Sequence, residues 1–188
     1  MKILGFDSQV FLAPMAGITD YPLRRLTASF GSGIMVSEMV AVNALRRKNP
    51  KTYRIADVRS EPYPVVVQLV GNDVGLFVEA AKLAEELGAY SLDINMGCPV
   101  KKIVNNGSGS ALMKDLSRAG EIIRAVVAAT PLKVSVKSRK GWDNNSVNVV
   151  EFARMCEDNG ASYVTVHGRT RSEFYAGKAD WDIIAAVK

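Results

Sequence analysis

Thiols and imidazoles are scarce in this chain. It holds two cysteines, Cys98 and Cys156, and one histidine, His167. Neither cysteine sits in a Cys-x-x-Cys pair. A structural zinc site needs about four such ligands, so no metal centre is expected. The sparse cysteines favour a reducing, cytoplasmic compartment over a disulfide-stapled secreted fold. No apolar run approaches the roughly 18 residues that would suggest a membrane-spanning helix. The opening "MKILGFDSQVFLAPMAG" does not read as a secretory signal. Its early lysine is followed by a polar break at Asp7–Gln9 before any long apolar region. No low-complexity tract or block of like charge divides the chain.

What is present is ordinary in amount and ordered in pattern. With 188 residues, 48% of them hydrophobic, the chain can bury a real core as one domain. A net charge of +5 favours an anionic partner such as a phosphate or RNA, without requiring one.

Short β-rich apolar runs alternate with helical stretches. The runs are "VFLAPM" (10–15), "GIMVSEM" (33–39), "PVVVQLVG" (64–71), "SLDINMG" (91–97), "LKVSVKSR" (132–139) and "YVTVHGR" (163–169). Their spacing is that of βα units. Their continuous apolar character predicts strands covered on both faces, as in parallel sheets. Between them, "DVGLFVEAAKLAEELGA" starts at a candidate N-cap, Asp73, and stops at Gly88. "DLSRAGEIIRAVVAAT" and "NSVNVVEFARMCEDNGA" repeat the pattern. Cys156 falls inside the last of these and is expected to pack against the sheet.

Six such units predict an α/β fold of the (β/α)8 TIM-barrel type. A doubly wound sheet is the alternative. It is disfavoured because no Gly-x-Gly-x-x-Gly follows the first strand. The chain closes on "DWDIIAAVK", in what should be the sixth helix, so residues 1–188 are expected to be the first six βα units of a longer catalytic domain.

In a barrel, chemistry sits at the C-terminal ends of the strands. There the first run delivers Pro14, Met15, Ala16 and Gly17, the second Ser37 and Glu38, and the third Gln68. The fourth delivers Asp93, Asn95 and Cys98, the fifth Lys137 and Arg139, and the sixth His167, Arg169 and Arg171. The set is rich in cations and amides and poor in carboxylates. It does not suggest the paired acids of a glycosidase or a magnesium site. Lys137 could form a Schiff base or stabilise negative charge on an electron-rich ring. Cys98 could be a nucleophile or, as a thiol, an acid.

Six segments together resemble the tRNA-dihydrouridine synthases, closest to their bacterial B-type branch. They are "LAPMAGITDYPLRRL", "SEMV", "VQLVGND", "DINMGCPVKKIVNNGSGSALM", "VKSRKGWD" and "VTVHGRTRSEFYAGKADWDII". The resemblance runs through the whole chain in order. Its most specific part is the Asp-x-Asn-x-Gly-Cys-Pro core followed by Gly-Ser-Ala-Leu. The Pro-Met-Ala-Gly start is shared with other flavin barrels.

The resemblance implies an FMN-binding barrel, NADPH as reductant, and tRNA as substrate. Hydride would reach C6 of a uracil and a cysteine thiol would protonate C5, giving 5,6-dihydrouridine. It places Cys98 as that acid. It places Pro14, Met15, Ala16, Gln68, Lys137 and His167 around FMN. Asn95 would orient the flavin or the uracil, and Lys101, Lys102, Arg139, Arg169 and Arg171 would meet phosphates. The family's strands seven and eight and its helical tRNA-binding domain have no counterpart in these 188 residues. Without them the chain is expected to be inactive, and its longer parent to be the enzyme. A soluble monomer without membrane or metal is expected. Two other readings are a flavin barrel acting on free pyrimidines and a non-catalytic RNA-binding fragment. The segment Lys101–Gly109 is expected to be a mobile basic loop.

Overall fold

The computed structural model describes residues 10–31 and 33–188. The polar break at Asp7–Gln9 lies outside them. Six parallel strands pair in chain order: β1 (Phe11–Leu12), β2 (Ile34–Ala41), β3 (Val65–Val70), β4 (Ser91–Met96), β5 (Val134–Gly141) and β6 (Tyr163–Thr170). The connections carry α1 (Tyr21–Ser29), α2 (Val42–Arg46), α3 (Pro50–Ala56), α4 (Val74–Glu86), α5 (Lys101–Val104), a 3₁₀ turn (Gly109–Lys114), α6 (Leu116–Ala129) and α7 (Val149–Asp158). α8 (Trp181–Val187) follows β6. The six strands form a half-barrel, the partial TIM barrel that the sequence implies.

The helix signals act locally. Asp73 caps α4 by accepting the N–H of Leu76 at 2.8 Å, and Asp115 caps α6 by accepting that of Arg118 at 2.9 Å. Gly88 ends the α4 turn with φ +86°, a conformation that disfavours any side chain. Four helices lie where the sequence reading names none: α1, α2, α3 and α5. Two of them carry readable starts: Asp20 with Pro22, and Asn49 with Pro50.

Period-two alternation sorts each strand into two faces. Val65, Val67, Leu69, Leu92, Ile94, Met96, Val134 and Val136 face the helices. There they bury against Phe77 and Ala80 of α4, Ile122 and Val126 of α6, and Phe152 and Cys156 of α7. Each large apolar side chain removed from water contributes roughly 1.5–3 kcal/mol, which makes this layer the main source of stability. The opposite face is concave. Its base is apolar, with Ile34, Val36 and Val66 packed against Phe11 and Tyr163. The Phe11 and Tyr163 ring centroids lie 5.6 Å apart, so the first and sixth strands meet across the hollow.

Two segments depart from the expected outline. β1 is two residues rather than six, since Pro14 has no N–H to continue the ladder and the chain turns at Met15. The segment after Cys98, expected as a loop, carries the short helix α5 and the 3₁₀ turn. Val100 O accepts from Ile103 and Val104, and Ser108–Met113 is buried.

Candidate active site

Above the apolar base, the concave face becomes polar within one register. Gln68 pairs with Asp93, and Asp93 with Ser135, on adjacent strands. One step further, Asn95 pairs with Lys137, and then Arg139 with His167. Side chains on neighbouring parallel strands at one register point the same way. The sheet therefore stacks these groups toward the C-terminal rim. Gln68 donates from Nε2 to Asp93 Oδ2 at 2.7 Å. Asn95 donates from Nδ2 to Gln68 Oε1 at 2.8 Å. Ser135 Oγ donates to Asp93 Oδ1 at 2.6 Å. Ser37, at the β2 bulge, accepts the backbone N–H of Gln68 at 3.1 Å.

Cys98 follows β4 directly. Its N–H donates to Asn95 Oδ1 at 2.9 Å, and the N–H of Gly97 donates to the same oxygen at 3.2 Å. Its carbonyl accepts from Ser110 N at 3.1 Å and Ser110 Oγ at 2.9 Å. Gly109, at φ +61°, brings the chain back so close that a Cβ there would lie 2.8 Å from that carbonyl. Burial pushes the Cys98 thiol above its ordinary pKa, against the opposing pulls of the Val100 N–H and the Arg139 charge. The thiol is therefore protonated at neutral pH. Cys156 is fully buried, and burial alone pushes it up to about 12.

The cations divide by role. Lys137 is largely desolvated, which lowers its pKa, while the Asp93 charge raises it. Among the described residues its ammonium makes no hydrogen bond or ion pair. Arg139 is 3% exposed and turned inward. Its Nε donates to Gly97 O at 2.9 Å, and its Nη1 to Thr170 O at 2.8 Å and Phe174 O at 2.7 Å. It clamps two rim segments rather than standing free toward solvent. Arg169 donates to Ala176 O at 2.9 Å and Gly177 O at 2.8 Å, and its Nη1 lies 3.1 Å from His167 Nε2. Burial, followed by Arg139, Lys137 and Arg169, lowers the His167 pKa to about 4, so its ring is neutral at pH 7.

The rest of the expected set lies at the edge. Pro14 is half-buried, whereas Met15 and Ala16 are exposed in a turn closed by Thr19. Arg24 holds the Thr19 carbonyl at 2.6 Å and pairs with the buried Glu61. Gly17 N–H donates to Glu38 at 2.5 Å. Lys101 and Lys102 are exposed on α5. Arg171 lies 4.5 Å from the centroid of the Trp142 ring, and Lys114 Nζ lies 4.4 Å from it. Asp93, Ser135, Lys114 and Trp142 are the members that strand-end reasoning left unassigned. The Gln68–Asp93–Ser135 register was the signal for the first two.

These groups suit a flat, polar-edged ring. Gln68 and Asn95 each keep one amide N–H beyond the bonds above. Lys137 offers a cation unpaired among the described residues, His167 a neutral imidazole, and Met15 an exposed thioether face. A cleft of about 730 Å3 elsewhere, lined by Lys48, Tyr53, Arg54 and Asp57, shows no such set, and its carboxylate is already held by Arg59 at 2.6 and 2.8 Å. Among the described residues, no three His, Cys, Asp or Glu converge as a metal site, and no helix is long and apolar enough to cross a membrane.

Residues 11–188 match the family model described as dihydrouridine synthase. A probable tRNA-dihydrouridine synthase of Rickettsia conorii is 47% identical over 183 residues, which is 97% of this chain and 55% of that protein. One from Rhodobacter capsulatus is 46% identical over 98% of the chain and 57% of the relative. tRNA-dihydrouridine synthase B of Pseudomonas syringae pv. tomato is 43% identical over 95% and 53%. The chain thus spans about half the length of the curated relatives it matches. Among solved structures, the carboxyl transferase domain of Rhizobium etli pyruvate carboxylase aligns with a TM-score of 0.55 at 13% identity, over 85% of this chain and 26% of that one. That likeness concerns the barrel fold alone.

Proposed function

This chain belongs to the dihydrouridine synthase family, and we propose that it forms the catalytic part of a cytoplasmic flavoenzyme that reduces uridines in tRNA to 5,6-dihydrouridine. The single observation that carries the reading is the placement of Cys98: a half-buried thiol, anchored by Asn95, at the rim of a face that also presents Lys137 and His167.

FMN would rest against Pro14, Met15 and Ala16. The remaining N–H of Gln68, together with Lys137 and His167, would hold its polar edges. When bound, and with NADPH as reductant, it supplies the hydride that reaches uracil C6. Lys137 supplies positive charge where an electron-rich ring gathers negative charge. A neutral His167 adds hydrogen bonding without a second full charge. Arg139 and Arg169 hold the rim through the carbonyls of Thr170, Phe174, Ala176 and Gly177, so they shape the pocket, and the Nη2 of Arg139 keeps donors for a phosphate.

Charge developing through C5 toward O4 of the base needs a proton at C5. The Cys98 Sγ–H supplies it, and the thiolate recovers a proton from solvent. A thiol suits this step because it is protonated at pH 7 yet acidic enough to yield. Asn95 orients the base or the flavin with its spare N–H. Lys101, Lys102 and Arg171, with Lys114 beside Trp142, offer cations to RNA phosphates. Two further βα units and a helical tRNA-binding domain would complete the parent protein.

The test uses the full-length parent. Cys98→Ala should retain flavin and its reduction by NADPH, while dihydrouridine formation on unmodified tRNA falls about 10²–10⁴-fold. Unchanged turnover would remove Cys98 from the acid role. Activity confined to free uracil or orotate would replace tRNA as the substrate, and tRNA binding by a protein without flavin would leave an RNA binder.

A further inference from the structure

We propose that Asp93 is a positioning residue: through Gln68 and Asn95, its carboxylate sets the direction of a hydrogen-bond chain that anchors the turn carrying Cys98.

The chain is continuous and buried. Asp93 is 4% exposed, Gln68 1% and Asn95 9%. Oδ2 of Asp93 accepts from Gln68 Nε2 at 2.7 Å, Gln68 Oε1 accepts from Asn95 Nδ2 at 2.8 Å, and Asn95 Oδ1 accepts the Cys98 N–H at 2.9 Å. A side-chain amide is polar end to end: its nitrogen only donates and its oxygen only accepts. Both Asp93 oxygens accept here, from Gln68 and Ser135, and these two bonds with the Lys137 charge oppose the upward push that burial gives the Asp93 pKa. The acceptor at Asp93 therefore turns the Gln68 nitrogen inward and its oxygen toward Asn95. That oxygen in turn draws the Asn95 nitrogen and leaves the Asn95 oxygen for the N–H groups of Gly97 and Cys98, two backbone donors that favour the same direction from the far end. Reversing either amide sets like ends against each other where no water can intervene. Ser135, which donates to the other oxygen of Asp93 at 2.6 Å, steadies the first link from outside the chain.

A merely structural Asp93 would fill space and accept two hydrogen bonds, with no consequence three hydrogen bonds away for the thiol. The direction of the chain distinguishes the two, because direction can be rebuilt with different residues. In Asp93→Asn, position 93 no longer dictates which way Gln68 lies. In Asp93→Asn combined with Gln68→Glu, the carboxylate moves one link along. It accepts from the new amide at 93 and from Asn95 Nδ2, so the Asn95 oxygen again faces Cys98. The net charge of the pair is unchanged.

The readout is the alkylation rate of Cys98 by iodoacetamide, followed by peptide mass spectrometry across the thiol's titration. The limiting rate at high pH separates access from acidity. Neither flavin nor tRNA is needed, so the result is independent of the reaction proposed above. Asp93→Asn should raise the limiting rate about five-fold, the size of one lost hydrogen bond. The double variant should return it to within about two-fold of the parent. An unchanged rate in Asp93→Asn overturns the proposal, as does a double variant whose rate is the product of the two singles. Alkylation of the fully buried Cys156 marks a variant that has unfolded. The rate is then read on Asn95→Asp, which leaves Asp93 in place but opposes two acceptors at the Gln68–Asn95 link. That variant should also react about five-fold faster, and a rate equal to the parent's overturns the proposal.

Discussion

The side-chain oxygen of Asn95 accepts the backbone N–H of Cys98 at 2.9 Å and that of Gly97 at 3.2 Å, so one amide holds the turn that leaves β4. Asn95→Ala removes this acceptor and also strips Gln68 Oε1 of its donor. Leaving buried groups unmet costs about 1–3 kcal/mol. The expected outcome is a lower denaturant midpoint with an unchanged slope, and a larger loss in kcat than in KM for the full-length parent.

Arg139 spans three carbonyls with a rigid fork, which lysine cannot reproduce. Arg139→Lys should destabilise the protein by about 2–4 kcal/mol, since hydrogen bonds to a charged group are stronger than neutral ones. Limited proteolysis should show new cleavage between residues 170 and 177. Wild-type resistance there would contradict the clamp.

His167 gives a pH signature. Its folded pKa, about 4, lies below the ordinary value of roughly 6.5 for an unfolded histidine. The unfolded chain thus binds the proton more readily between those values. Stability from the neutral ring is complete above about pH 6.5 and declines as pH falls toward 4. His167→Gln should flatten that part of the stability–pH curve, measured by thermal unfolding in a pH series. Because the ring is partly open to solvent, direction rather than size is the diagnostic.

Trp142 carries two cations against its ring, Lys114 and Arg171. Among the described residues neither is ion-paired, and the buried Nε of Arg171 has no hydrogen-bond partner. If they neutralise RNA phosphates, Arg171→Gln should reduce the slope of log K for tRNA against log salt by about 1. Lys114→Gln should do the same, while turnover at saturating tRNA holds. A slope unmoved by both changes would make the pair a cover for the indole and nothing more.

Much of this was legible in the chain itself. The alternation of apolar runs with capped helices specified six parallel strands, because continuous hydrophobic strands demand cover on both faces. Strand-end position placed Gln68, Asn95, Lys137 and His167 on one rim, because period two and parallel register leave little choice. Cys156 was recognisable as core from its place in the apolar stripe of α7.

Other features required long-range contacts. Arg139 and Arg169 looked like free cations in the sequence. Only the folded chain supplies the carbonyls that occupy them, at Gly97 after β4, at the end of β6 and in the β6–α8 connection, from residues 7 to 42 positions away. Trp142 became a cation platform because three rim loops meet there. The hold on Cys98 depends on Gln68, 30 positions earlier in the chain, through a buried series of amides whose direction no local pattern encodes. Local periodicity thus determined the strands, helices and rim of this protein. Tertiary structure alone decided which polar groups are spent on one another and which stay available for chemistry, since hydrogen bonds are satisfied by neighbours in space and not in sequence.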